Sequence, residues 1–143
     1  MIKIETLNSY TSQELEDLKE LLRSLSDRLE LKDDDLKQVI ENPHTHLYVI
    51  YSETGRIIGC ATLCITTTLE GRMGHVEDVV VSPHHRGKHL GRRLMEHLLN
   101  EAKQYAPIQL HLTSNSKRIE ANKLYQSLQF VRKETNVYHL EIK

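Results

Sequence analysis

The sequence predicts an α/β chain: a central mixed β-sheet flanked by about four helices. Three observations predict it. Segments with a period of two alternate along the chain with segments of helical period. Two neighbouring strand segments are joined by a turn short enough for a hairpin. Other strand segments are separated by whole helices, so crossovers and hairpins coexist, and an all-parallel doubly wound sheet is excluded. The chain has 143 residues, which fits one domain spanning 1–143 and can bury a core without disulfides or metal.

Residues 2–7 read as an opening strand. Thr11-Ser12-Gln13-Glu14 is a capping box, with Tyr10 and Leu15 as its hydrophobic staple. Leu15, Leu18, Leu21, Leu22, Leu25 and Leu29 then keep helical spacing. A second helix opens on Asp33, Asp34 and Asp35, acids that suit a positive helix end, and stops before Pro43. Residues 47–51 and 56–66 form a hairpin about the turn Glu53-Thr54-Gly55. Gly71 and Gly74 bracket a loop, and 76–81 is a valine-rich strand ended by Ser82-Pro83. Leu90, Leu94, Leu98 and Ala102 mark the most regular amphipathic helix. A strand over 108–112, a helix through Ala121, Leu124, Tyr125 and Leu128, and an alternating strand over 137–142 complete the sheet.

Charge and composition narrow the function. Lys and Arg number 19, Asp and Glu 20, a net charge of -1. That excludes a sequence-wide basic field for nucleic acid. No apolar run approaches the roughly 20 residues of a membrane helix, and the N-terminus lacks a signal-peptide core. The expected location is cytoplasmic, with neither nucleic acid nor membrane as partner. Cys60 and Cys64 lie four apart on one strand, roughly 13 Å, too far for a disulfide. Nine histidines include His85 and His89, four apart, with His84 adjacent; a metal site would need a third ligand beside that pair and supporting hydrogen bonds, and the segment is cationic, so no metal is expected.

The informative stretch runs from Val79, Val80 and Val81 through Ser82-Pro83 into Arg86-Gly87-Lys88-His89-Leu90-Gly91-Arg92. A buried strand enters a short basic loop, and the loop enters a helix. A helix N-terminus offers unpaired N–H groups and partial positive charge, a ready anion site. Between Ser82 and Met95 stand Arg86, Lys88, Arg92 and Arg93 with no acid. Cations oppose the dipole at that end, and a phosphate or pyrophosphate ligand accounts for them. The P-loop spacing and the three-glycine dinucleotide fingerprint are both absent.

Arg86-Gly87-Lys88-His89-Leu90-Gly91 resembles the acyl-coenzyme A signature of the GNAT superfamily of N-acetyltransferases, Arg/Gln-x-x-Gly-x-Gly/Ala. About thirty residues on, 121–130 is similar to the second block of that family, Ala-x-x-Leu-Tyr-x-x-x-Gly-Phe. His89 and Gln129 each replace a glycine of these patterns. His89 is expected to keep φ negative, where no glycine is required. The order of elements also matches, so the resemblance extends over essentially the whole chain.

The resemblance implies the acyl-coenzyme A N-acyltransferase fold and transfer of an acetyl group from acetyl-coenzyme A to a primary amine of a small molecule. Pantetheine is expected between diverging strands at 77–81 and 108–113, held by backbone groups along Val79, Val80 and Val81. Residues Arg86, Gly87, Lys88, His89, Leu90, Gly91 and Arg92 are expected to hold the pyrophosphate, with Asn115 and Asn122 as further contacts. Tyr125 falls at the general-acid position, beside the departing sulfur. Glu77 is an acid inside an otherwise apolar strand, sharing parity with Val79 and Val81, and is expected to be the base, through water. The strand 75–81 is also similar to that of glucosamine-6-phosphate N-acetyltransferases. Acetylation of a protein amine and a non-catalytic coenzyme A-binding module are the other readings. The acceptor pocket is expected from the first two helices, the loop 67–74 and the C-terminal strands. A homodimer is a common trait of the family.

Overall fold

Strands β1 (Lys3–Thr6), β2 (Thr45–Tyr51), β3 (Ile57–Thr68), β4 (Gly71–Val81) and β5 (Gln109–His111) lie side by side in sequence order. The first four are antiparallel, and β5 joins β4 in parallel. The sheet is therefore mixed, as the hairpins and crossovers predict. The structure is a computed structural model and describes residues 2–143. By packing it divides into a unit that ends at Leu112 and a second unit over Thr113–Lys143.

In the first unit, α1 (Ser12–Leu25) starts on the predicted capping box. Glu14 N–H donates to Thr11 Oγ1 at 3.1 Å, and the Glu14 carboxylate accepts from Thr11 N–H at 2.9 Å. The helix ends at Leu25, one turn before the spacing suggests; Ser26 takes up an extended conformation and Leu29 is exposed. In α2 (Asp33–Glu41), Asp35 reaches back to the Lys32 N–H at 3.0 Å. These two helices cover one sheet face, where Leu18, Leu21 and Leu36 pack with Leu47, Val49, Cys60 and Val80. The other face is covered by α3 (Leu90–Ala102), whose Leu94, Met95 and Leu98 are fully buried. Gly59 makes room there: a Cβ would stand 2.8 Å from Ile50 Cγ2 and 3.1 Å from Leu94 Cδ1. Both cysteines are free, as the strand spacing requires.

Asp17 ties α1 to the hairpin. Its carboxylate is buried, accepts from Arg56 Nε at 2.9 Å and from Ile57 N–H at 3.0 Å, and pairs with Arg56 Nη2 at 2.6 Å. Burial works to raise its pKa, but the bonds to Arg56, Ile57 and Gln13 outweigh it and hold the carboxyl below its usual range.

Three expectations are corrected. Residues 67–74 are not a loop: β3 runs to Thr68, a tight turn holds Leu69 and Glu70, and β4 begins at Gly71. Gly74 lies inside β4, where a Cβ would stand 2.5 Å from Leu110 Cδ2, so the glycine permits the close approach of β5. Residues 137–142 form no strand; among the described residues no regular element follows α4 (Ile119–Ser127). Alternation supplies a face, but a strand needs a ladder partner. None of the helices is long and apolar enough to cross a membrane among the described residues.

Candidate active site

Strand β4 carries the acid-bearing part of the site, and its geometry turns on one residue. Its register with β3 slips between Cys60 and Thr62: Cys60 faces Val80, while Thr62 faces Glu77. Asp78 and Val79 therefore stand opposite Ala61 alone, a β-bulge. Asp78 has φ 54°, the left-handed region that aspartate tolerates better than most residues. Cross-strand partners share a face, so Glu77 lies on the face of Thr62, Cys60 and Val80. Glu77 does not share a face with Val81, which pairs with Gly59; the expected parity is overturned by the bulge.

The bulge also exposes a residue that the sequence reading passed over. The Asp78 carboxylate accepts from the buried Thr62 hydroxyl at 3.3 Å, and its carbonyl accepts from Cys60 Sγ at 3.3 Å. Burial pushes the Asp78 carboxyl up, and the Thr62 bond only partly offsets it. Two acids side by side in a valine-rich strand were the available signal. The bulge that separates their environments depends on a register slip, which strand parity cannot show.

The pairing of β4 with β5 covers only Met73–His75 against Gln109–His111. Beyond His75, β4 continues for six residues, 76–81, without a β5 partner. These include Glu77, Val79, Val80 and Val81, the segment expected to meet pantetheine. Strand β5 is shorter than the expected 108–113.

Past Val81, Ser82 N–H donates to Ile58 O at 2.8 Å and anchors the loop to β3. A short 3₁₀ turn, Pro83–His85, leads to Arg86. Gly87 has φ 83° and His89 has φ 59°. The expectation of a negative φ at His89 is thus wrong: the loop needs the left-handed conformation that a glycine would adopt freely. His89 is the N-cap of α3 but makes no side-chain cap bond, and the first turn holds no acid. The His89 side chain thus leaves the first N–H groups of α3 uncapped by it. Arg86, Gly87, Lys88 and His89 are exposed around them, and Arg92 pairs with Glu96 at 3.6 Å. An uncapped helix start ringed by cations can hold a phosphate. A cavity of about 620 Å³ lies against Asp17, Glu20, Arg56, Ser82 and Lys88. Its lining includes neither Glu77 nor Asp78, and of residues 86–92 only Lys88.

In the second unit, Asn115 and Asn122 are brought together, with their amides engaged locally. Asn122 Nδ2 donates to Asn115 O at 2.9 Å and to Arg118 O at 2.8 Å, and Asn115 Oδ1 accepts from Lys117 N–H at 2.9 Å. Both asparagines hold the turn that starts α4. Tyr125 is buried, with its ring edge-on to Phe130 at 6.2 Å. Burial raises the Tyr125 hydroxyl, against an opposing effect of Arg118, so the phenol stays protonated at neutral pH. Among the described residues, no group of three or more His, Cys, Asp or Glu is placed to hold a metal.

The chain is similar in sequence and fold to known acetyltransferases. Glucosamine 6-phosphate N-acetyltransferase of Trypanosoma brucei brucei is 37% identical over 83 residues, 56% of this chain and 54% of that protein. Glucosamine 6-phosphate N-acetyltransferase 1 of Dictyostelium discoideum is 30% identical over 102 residues, 67% of this chain and 62% of that protein. The matches thus span little more than half the length of these relatives. A solved Trypanosoma brucei acetyltransferase superposes with a TM-score of 0.79 at 27% identity, covering 99% of this chain and 100% of that one. The glucosamine-6-phosphate N-acetyltransferase of Arabidopsis thaliana shares the fold with the same TM-score at 24% identity, covering 98% of each chain. The profile of the acetyltransferase (GNAT) family matches residues 10–130, and the chain belongs to that family.

Proposed function

We propose that the protein transfers an acetyl group from acetyl-coenzyme A to the primary amine of a small molecule, acting as one catalytic domain. The observation that carries the reading is the uncapped N-terminus of α3, with Arg86 and Lys88 exposed around it. Residues 86–92 hold the pyrophosphate chiefly through backbone N–H groups. The backbone of Val79, Val80 and Val81 accompanies pantetheine, and Asn115 and Asn122 give further contacts through atoms that the turn leaves unused. No metal takes part. In the reaction the amine lone pair forms a bond to the thioester carbonyl carbon. The C–S bond then breaks, and coenzyme A leaves as thiolate. Glu77 receives the ammonium proton through water before the attack, Tyr125 protonates the departing sulfur, and the second proton, shed by the acylated nitrogen, restores Tyr125.

An amino-sugar phosphate is the acceptor reading that two named relatives favour, since both are glucosamine 6-phosphate N-acetyltransferases. A cytoplasmic location and a homodimer are part of the proposal. Exposed Val131, Val137, Tyr138, Leu140 and Ile142 support a protein partner for that arm.

Free thiol release from acetyl-coenzyme A tests the reading, with a panel of amines that includes glucosamine 6-phosphate. Turnover with at least one amine is expected. Gly91→Val, checked for an unchanged melting temperature, should lose coenzyme A binding by calorimetry. Tyr125→Phe should lower kcat by roughly 10²-fold, the low end for general-acid help because a thiolate is a good leaving group. Coenzyme A binding without turnover on any amine would leave only a binding module. Unchanged affinity in the Gly91 variant would overturn the loop assignment.

A further inference from the structure

His75 and His111 face each other on the last paired rung of β4 and β5, just where the pairing ends. Their ring centroids are 6.1 Å apart, with the planes tilted by 33°. Register extends the same row across the sheet: His75 pairs with Cys64, and Cys64 with Thr45. The next rung toward the acids pairs Glu77 with Thr62, and the rung before pairs Met73 with Thr66 and Gln109. This end of the sheet face is polar and partly or fully exposed, apart from buried Thr62, whereas the same face at Val49, Cys60 and Val80 is core under α1 and α2. A face meant only for packing would continue apolar.

Two hydrogen-bonding positions on this row are poorly used. The His111 Nδ1 is buried and, among the described residues, has no partner. The His75 Nε2 has only Thr66 Oγ1, at the 3.5 Å limit of a hydrogen bond. A buried polar atom left unpaired is costly. A neutral imidazole offers one donor and one acceptor, and a hydroxyl can answer either. Glu77 lies two residues further along β4 on the same face, about 7 Å away, where a carboxylate attracts an ammonium.

We propose that His75 and His111 form the hydroxyl-binding floor of the acceptor site. The acceptor is then an amine bearing neighbouring hydroxyl groups, an amino sugar or amino alcohol, with its ammonium toward Glu77 and its hydroxyls on the two imidazoles. This rests on the acetyltransferase reading for its chemistry but not for its test. The histidine C–H resonances are followed by NMR in the coenzyme A-loaded protein, titrated with D-glucosamine or with cyclohexylamine, which has the ring and amine but no hydroxyls. His75→Asn and His111→Asn assign the two signals. Glucosamine should shift both, and cyclohexylamine should leave both unmoved. In turnover, His111→Leu should raise the glucosamine KM about tenfold, with partial recovery in His111→Asn and no change in the acetyl-coenzyme A KM. Absent shifts, or equal shifts with both amines, overturn the floor even where thiol release is seen. Selective shifts without thiol release uphold the floor and overturn the catalytic reading instead.

Discussion

His89 and Asp78 share an uncommon backbone state, and it has different consequences for each. His89 carries a left-handed φ of 59° beside the phosphate loop, a conformation costing an L-residue about 1–2 kcal/mol. Glycine would remove that cost but adds freedom to the unfolded chain. His89→Gly should therefore stabilise by up to about 1 kcal/mol, visible as a rise of a few degrees in Tm, with coenzyme A affinity kept within a few-fold. A fall in Tm would mean that the imidazole contributes more than the strain costs. Asp78 is left-handed as well, and the partial loss of water around its carboxyl raises its folded pKa. For a raised carboxyl, the stabilising contribution is full below the unfolded value near 3.9 and is lost as pH rises through the folded pKa. At neutral pH the charge is a burden. Asp78→Asn, which keeps a carbonyl for the Thr62 hydroxyl, should raise Tm at pH 7 and leave it nearly unchanged near pH 3. Equal gains at both pH values would rule out the charge as the cause.

At the scale of elements, what was legible was what local chemistry decides. The Thr11 capping box, the three aspartates opening α2 and the 52–56 turn each use neighbours in sequence, and each is found in place. The elements misread depend on distant partners. The bulge at Asp78 arises from pairing with β3, the continuity of β4 through Gly74 from the closeness of Leu110, and the missing strand over 137–142 from the want of a ladder. The acids and the basic loop of the site were visible as residue types, whereas the face each acid occupies was not. The Asp17 bond between α1 and the hairpin is equally non-local, joining positions 39 and 40 residues apart. Asp17→Asn should cost about 1–3 kcal/mol, since the Ile57 N–H is buried and Arg56, half exposed, can find water. The folded pKa of Asp17 is lowered, so the wild type holds this stability above about pH 4 and loses it as pH falls through the folded value. The gap in Tm between wild type and variant should narrow on acidification; a gap constant from pH 7 to pH 2.5 would assign the loss to packing.

At the scale of the whole molecule, the conspicuous feature is apolar surface left in water. Val131, Val137, Tyr138, Leu140 and Ile142 are 75–88% exposed, along an arm without regular structure. Tyr138, Leu140 and Ile142 alternate, so an extended arm would turn all three to one side. Fully burying such a side chain is worth about 1.5–3 kcal/mol. Six of them, three from each of two copies, bring roughly 9–18 kcal/mol, against an association cost of about 4–15 kcal/mol. The balance permits a dimer held by the arms at micromolar concentration. Sedimentation at 10–50 µM, roughly the range where such a balance is readable, should show a homodimer for the wild type. Replacing Leu140 and Ile142 by Lys should yield a monomer that melts as one cooperative transition. The arm is exposed in the single chain, so these changes remove no packing within it, and a drop in mass without unfolding isolates the interface. A wild type that sediments as a monomer, or a double variant that stays dimeric, would remove the arm from the assembly.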